Sequence, residues 1–452
     1  MRVLLEAPIL TQSGYGEHSR LIYRALKAVH ETVAVFINPL NWGQTSWVPL
    51  EDDLERLEIE QAIKNNQELQ NKAKQLRHDY KQTDLFDIHI FVGILNEHKR
   101  KGIHSICVTA GIETDRIAPE WLLKTNKEVD QIIVPSEHAK MGFTKTSYRM
   151  VNESNKTESS LECSCPVSVV PYPVKNVNSK HLDFSLDTDF NFLTVALLGP
   201  RKNLEFTIQT FVQEFKNDNV GLIIKSARSR GSSMDKSYTT NFFNKIMSKI
   251  NEKYPNKKCK VFLLHGDLSE EEIHSLYIRE DINAYVSATH GEGYGLPIFE
   301  AAYSGLPIVA TDWSGHLDFL TAPFLEKGKI RNKKLFAKVD YDLKPISKEA
   351  IWPGVLMEGS EWAYPKAPSL RKQMRSVYKN HGMYRKWSSS LRDHITKTHA
   401  EEEIFKKMRR AIFSNTYTEQ DLDSIEEYSA EAAKQEKERL EWAKEMAQII
   451  KL

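Results

Sequence analysis

The sequence predicts an α/β protein made of two doubly wound halves followed by a C-terminal helical extension. Three observations predict it. Short apolar runs alternate with segments of helical spacing, the signature of parallel strands covered on both faces. The alternation lapses over the polar stretch 176–189 and then restarts. From residue 369 the pattern is helical only. The expected boundaries are 1–185, 186–368, helices over 369–413 packing back toward the first half, and a charged helical tail over 414–452.

In the first half, residues 3–6 form a strand that runs into a polar loop, 11–17, holding Gly14 and Gly16. A helix over 18–29 follows, with Leu21, Ile22, Ala25 and Leu26 at helical spacing. Residues 33–37 are the next strand. The charge-dense stretch 50–82 reads as one or two amphipathic helices with a solvated face. Strands follow at 88–92, 105–109 and 131–134, with a helix at 118–127 between the last two. Ser136 suits the N-cap of a further helix. Residues 147–164 are polar and read as a surface loop or hairpin, and 167–170 is the closing strand.

The second half has strands at 192–198, 220–224, 260–264, 282–287 and 307–310. Helices are expected at 204–215, 241–250, 269–277 and 297–304. Residues 321–365 look irregular. The tail 416–452 reads as one helix with Leu440, Ala443, Ala447 and Ile450 on a stripe.

Composition narrows the functional classes. The 452 residues carry 62 Lys+Arg and 61 Asp+Glu, a net charge of +1, which gives no cationic coat for nucleic acid and no polybasic anchor. A 40% apolar content excludes a disordered chain. The mean hydropathy of −0.48 argues against a transmembrane helix. Four cysteines are too few for a disulfide framework, and Cys163 and Cys165 are too close in sequence for an ordinary bridge. The first residues lack a secretory leader pattern, so a cytoplasmic location is expected and the sequons at Asn152 and Asn155 are chance.

The most informative segment is NAYVSATHGEGYGLPIFEAAYSGLPIVATD, residues 283–312. A strand ends in a loop with Gly291, Gly293 and Gly295. Pro297 suits the first helical position, and Gly305 suits the left-handed residue that ends the helix. A glycine loop feeding a helix N-terminus at a strand's carboxyl end is suited to phosphate. Glu292 and Glu300 flank that site. Carboxylates there make sense as acceptors from the hydroxyls of a ribose or a sugar.

GEGYGLPIFE resembles the Glu-x7-Glu signature of GT-B glycosyltransferases, specifically the retaining family 4. The resemblance covers about 190–320 strongly and the first half more weakly. It implies two Rossmann-like domains facing a cleft, with a nucleotide diphosphate sugar, UDP- or GDP-linked, held mainly by the second. It implies that Glu300 binds the ribose, that Glu292 binds the donor sugar, and that the N–H groups of Tyr294, Gly295 and Leu296 meet phosphate or sugar. It also implies that an Arg/Lys pair, rather than a metal, neutralises the leaving diphosphate. Lys202 is the first candidate, in LLGPRKNLEF. The family's usual arginine position holds Leu197 here, so Arg201 or Lys225 supplies the second charge.

The loop 11–20 resembles the family's first glycine loop, with Gly14 and Gly16 approaching donor or acceptor. Relatives carry a histidine near residue 111. This chain has Gly111, Glu113, Thr114 and Asp115 instead, and Glu113 is the candidate contact to sugar or acceptor. His138 and His316 are weaker candidates for a base. Asp-x-Asp pairs at Asp187/Asp189, Asp340/Asp342 and Asp421/Asp423 follow no strand and glycine turn, so a metal motif is not expected.

The expected function is glycosyl transfer from a nucleotide sugar to a hydroxyl of a glycan, lipid-linked or small acceptor, with retention. The sequence also resembles enzymes of bacterial and tailed-phage genomes, some of which glycosylate hydroxymethylated DNA. Lys and Arg cluster at 328–338 and 406–410, so DNA is an alternative acceptor. A nucleotide-sugar epimerase on the same fold and a non-catalytic scaffold are further alternatives. A dehydrogenase would need a Gly-x-Gly-x-x-Gly with an acidic residue about 20 positions on, which is lacking.

Overall fold

A computed structural model describes residues 1–29, 32–41, 54–76, 81–151, 157–228, 233–326, 328–414 and 420–424, with single positions at 418, 427 and 434. The tail expected over 416–452 falls almost wholly outside the described residues.

The first half alternates β1 (Arg2–Ala7), α1 (Gly14–Lys27), β2 (Ala34–Pro39), α2 (Leu54–Leu76), β3 (Ile88–Val92), β4 (His104–Val108), α3 (Pro119–Glu128), β5 (Gln131–Val134) and α4 (Glu137–Thr144). A surface hairpin, β6 (Tyr148–Val151) and β7 (Glu158–Leu161), precedes β8 (Val167–Val169). The six-stranded parallel sheet has the order β2-β1-β3-β4-β5-β8. Val3, Leu4 and Leu5 of β1 are all fully buried, as a strand covered on both faces requires.

The second half begins with β9 (Phe190–Val195), α5 (Leu204–Phe215), β10 (Val220–Lys225), α6 (Ser233–Lys253), β11 (Lys260–Leu264), α7 (Glu270–Ile278), β12 (Ala284–Ser287), α8 (Leu296–Tyr303) and β13 (Ile308–Thr311). Ser269 and Glu272 form a reciprocal capping box at the start of α7. Gly305, at φ +83°, terminates α8 as a left-handed residue. The stretch 321–365 is not irregular. It holds the hairpin β14 (Thr321–Glu326) and β15 (Lys329–Lys334), the strand β16 (Ala337–Val339), and the pair β17 (Tyr341–Pro345) and β18 (Glu361–Pro365). The sequence hid them because four residues of β15, Lys329–Asn332 in sequence order, are exposed, and β16 is too short to show a period. The second sheet has the order β11-β10-β9-β12-β13-β16.

Three helices follow: α9 (Ala367–Lys379), α10 (His381–Thr398) and α11 (Glu401–Phe413). Leu370, Met374 and Val377 of α9 enter the core of the second sheet. α11 crosses back to the first half, where the Gln131 side chain donates to the Ala411 carbonyl at 2.6 Å and the buried Arg409 reaches the Ala25 carbonyl at 3.4 Å. No helix among the described residues is long and apolar enough to cross a membrane.

α1 corrects the sequence reading. It begins at Gly14, four residues earlier than expected, because Ser13 caps it by accepting from the Gly16 N–H at 3.0 Å. Gly14 and Gly16 are therefore first-turn residues, not loop residues. Gly16 is required by packing, since a Cβ there would stand 2.0 Å from the Thr11 carbonyl.

Phe192 is fully buried in the second core, against Phe211 and Phe215. Phe192→Ala is expected to cost about 3–5 kcal/mol of stability, read as a lowered urea midpoint with unchanged slope.

Candidate active site

β9 and β12 are neighbours at the point where the order of the second sheet reverses. At such a switch point the loops after the two strands diverge and leave a crevice. The loop after β9 ends in a short 3-10 turn, Pro200–Lys202, carrying Arg201 and Lys202. The loop after β12 carries Glu292. Asn203, in the left-handed conformation that asparagine tolerates, ties the two loops by donating to the Ala288 carbonyl at 3.1 Å.

Glu292 is only 6% exposed. Its Oε1 accepts from Lys202 Nζ at 2.6 Å and from Thr289 Oγ1 at 2.9 Å. Its Oε2 faces an Arg201 guanidinium nitrogen at 2.8 Å. Arg201 also donates to the Gly291 carbonyl at 2.7 Å, and its other terminal nitrogen meets Glu113 Oε1, from the first half, at 2.7 Å. The four residues named from sequence as catalytic candidates, Glu113, Arg201, Lys202 and Glu292, therefore form one partly buried cluster of two carboxylates and two cations.

Their ionisation follows from who has a partner. Burial works against charge on Glu292, but Arg201 and Lys202 outweigh it and hold the carboxyl at about 2. Glu113 has Arg201 as its strongest cation and lies near Glu292, so burial prevails and pushes its carboxyl up. Burial, aided by Arg201, pushes the Lys202 ammonium down.

The loop 288–295 lies directly on the first half. A Cβ on Gly293 would stand 1.9 Å from the Ala110 carbonyl, and one on Gly291 would stand 2.2 Å from the Glu113 carbonyl. Ser136 caps α4 and also donates to the Gly293 carbonyl at 2.5 Å. The Glu137 N–H donates to Asp318 at 2.7 Å. Gly295, at φ +92°, is the N-cap of α8 and needs glycine. Leu296 opens the helix, with Pro297 following in its first turn. The N–H groups of Tyr294, Gly295 and Leu296 have no hydrogen-bond partner among the described residues.

Glu300 lies on α8 beside a cavity between the halves, lined also by Glu17, Leu21, Tyr172, Lys175 and Tyr303. Burial raises its carboxyl to about 7, against the pull of Lys175 and a hydrogen bond from Tyr277 at 3.1 Å. Gly14 borders the cleft, with a Cβ there 3.7 Å from Leu296. Lys225, at the end of β10, interacts with Asp267 and Glu300 and stands outside the Glu292 cluster, so Arg201 is the residue that joins Lys202.

Neither candidate histidine hydrogen-bonds or ion-pairs with Glu292, Arg201 or Lys202 among the described residues. His316 is fully buried, with Nε2 at 2.7 Å from the Thr311 carbonyl, and burial lowers its basicity. His138 packs edge-on against Trp313 with ring centroids 4.7 Å apart. Sequence reasoning missed Thr289, Ser314 and Lys175. Ser314 accepts from the Glu292 N–H at 2.9 Å. Lys175 bridges Glu17 of α1 and Glu270 of α7, each at 2.8 Å, from a stretch that carries no motif.

Residues 183–328 match the family described as "Glycosyl transferases group 1". The chain carries a group 1 glycosyltransferase domain. The match spans the β9 and β12 loops, so Arg201, Lys202, Glu292 and Glu300 lie within it and Glu113 does not. A serotype-specific mannosyltransferase of Escherichia coli, WbdA, is 26% identical over 202 residues, 43% of this chain and 23% of that protein. The chain thus matches about a quarter of that relative's length. Among solved structures, sucrose-phosphate synthase from Thermosynechococcus elongatus superposes with a TM-score of 0.55 at 13% identity, covering 92% of this chain and 100% of that one. HepE from Anabaena, solved with UDP and glucose, gives 0.50 at 10% identity over 92% of this chain and 100% of that one. These likenesses show the GT-B fold, in which this glycosyltransferase domain is the second half.

The raised carboxyl of Glu300 has a consequence for stability. Its proton leaves the unfolded chain near 4.5 and the folded chain near 7. The contribution of Glu300 to stability therefore falls as pH rises through that window, by an amount on the order of 2 kcal/mol after allowing for partial exposure. Relative to wild type, Glu300→Gln is expected to gain stability between pH 5 and pH 7.5, measured as urea midpoints at the two pH values. An equal change in both proteins would contradict the assignment.

Proposed function

We propose that the chain transfers a glycosyl group from a nucleotide diphosphate sugar to an acceptor hydroxyl, with retention at the anomeric carbon. The observation that carries this reading is the Glu113–Arg201–Glu292–Lys202 cluster at the switch point of the second sheet. An arriving diphosphate exchanges for the carboxylates on Arg201 and Lys202, which then neutralise the charge that develops as it leaves. Glu292, released, accepts from the donor sugar hydroxyls. The unpartnered N–H groups of Tyr294, Gly295 and Leu296, at the start of α8, receive phosphate or sugar oxygens. Glu300 accepts from the ribose. Glu113 faces the same space from the first half and contacts sugar or acceptor.

The bond between the anomeric carbon and the phosphate oxygen breaks, the acceptor oxygen bonds to the same face, and the acceptor proton passes to the departing phosphate. The reading needs no metal, since Arg201 and Lys202 supply the positive charge. The UDP bound in HepE supports a UDP-sugar, and the mannosyltransferase name of the Escherichia coli relative supports mannose.

DNA is the weaker acceptor. Of the two basic runs, Arg409 is buried, Arg410 pairs with Asp423, Lys333 pairs with Glu326, and Lys334 pairs with Asp312. An epimerase would convert donor without an acceptor, and a scaffold would leave every donor intact.

A hydrolysis screen over UDP-, GDP- and ADP-sugars separates these readings. Glu292→Ala and Lys202→Ala are each expected to lower turnover at least about 100-fold. Full activity in Glu292→Ala would overturn the site. NMR of the first-formed product should show the donor's anomeric configuration, and inversion would rule out retention.

A further inference from the structure

Between β17 and β18 the chain makes a long excursion over residues 346–360, closed at its base by the Ile346 N–H donating to the Ser360 carbonyl at 2.9 Å. This strap belongs to the second half by its strands, yet it seats on the first. Val355 is 8% exposed and joins the core cluster of Phe91, Ile94, Leu95, Ile112 and Ile117. Gly354, at φ +73°, lies against Asn96, which a Cβ there would approach to 2.7 Å. At the strap's end, the Glu361 N–H donates to Asp115 at 2.7 Å, and the Asp115 N–H donates to the Glu361 carbonyl at 3.2 Å. Asp115 is two residues from Glu113. At its other end, the 3-10 turn Lys348–Ala350 packs on the turn that carries Arg201 and Lys202.

Trp352 sits between these anchors. Its backbone is fixed on both sides, with its N–H donating to the Leu356 carbonyl at 3.0 Å and its carbonyl accepting from Val355 at 2.9 Å and Leu356 at 2.8 Å. Its side chain is 54% exposed. A tryptophan gains most by burial, so a half-exposed indole on a strap whose 348–350 turn packs on the Arg201–Lys202 turn is suited to an occupant. An indole offers an apolar face to the C–H surface of a pyranose or to a nucleic-acid base. The strap's charge decides between them. Residues 346–361 hold one lysine against three glutamates, an acidic rim that repels phosphodiesters and suits hydroxyls.

We propose that the strap is an acceptor subsite, with Trp352 stacking on a sugar ring of a saccharide acceptor. This deepens the transferase reading and rests on it for the direction of transfer.

The test is binding of the full chain to an array of immobilised oligosaccharides, with a 5-hydroxymethylcytosine duplex as a further probe. Wild type is expected to bind at least one saccharide. Trp352→Ala should weaken that binding at least tenfold, Trp352→Phe should keep it within about threefold, and both variants should melt within about 2 °C of wild type, because the side chain is exposed. Binding of no saccharide, equal binding by Trp352→Ala, or Trp352-dependent binding of the duplex alone would overturn the proposal. Lack of nucleotide-sugar turnover in wild type defeats the transferase reading instead, and the array distinguishes the two failures.

Discussion

The arrangement depends on Arg201. Its guanidinium meets Glu292 on one side and Glu113 on the other, and Glu113 comes from the opposite half of the molecule. A partly buried arginine with a single carboxylate would leave part of its fork unpaired at a cost. With two carboxylates and the Gly291 carbonyl, its donors are largely used, and the two halves are joined at the point where their loops meet. On the proposed function, cations held by carboxylates in a partly buried cleft exchange them for a more strongly charged ligand.

Backbone proximity reinforces that joint. Gly291 and Gly293 bring the β12 loop onto the carbonyls of residues 110 and 113, and Ser136 bonds the Gly293 carbonyl while capping α4. Gly293, noticed in the sequence as a phosphate-approach glycine, is here first a packing glycine. One residue type meets both demands because each requires only that no Cβ stand in the way. The helical extension adds a third connection, since α11 leaves the second half and packs on α1 and β5 of the first.

Much of this was legible in the residues. Strand–helix alternation located the nine strand and helix segments from β9 to β13, where apolar runs were long enough to show a period, as in α5 and β11. It failed at β15, most of whose residues face solvent, and it placed the start of α1 four residues late, where the cap at Ser13 begins a helix that the glycines concealed. The spacing of Glu292 and Glu300 on a strand–loop–helix unit was legible because both lie within one short segment. The role of Lys175 was not, because its partners Glu17 and Glu270 lie far apart in the chain and meet only through packing.

The sequence by itself determined the class of fold, the loop that carries Glu292, and the residue types available for binding a diphosphate. These are local properties, set by periodicity and by short-range spacing. Tertiary structure decided which candidates act together. It chose Arg201 over Lys225 as the partner of Lys202, because β9 and β12 are adjacent at the sheet's reversal while β10 delivers Lys225 toward Glu300. It brought Glu113 across the cleft, and it set Glu292 and Glu300 apart in character, the first held ionised by cations and the second pushed up to about 7 by burial. Charge state depends on the neighbours that packing supplies, and those neighbours are distant in sequence.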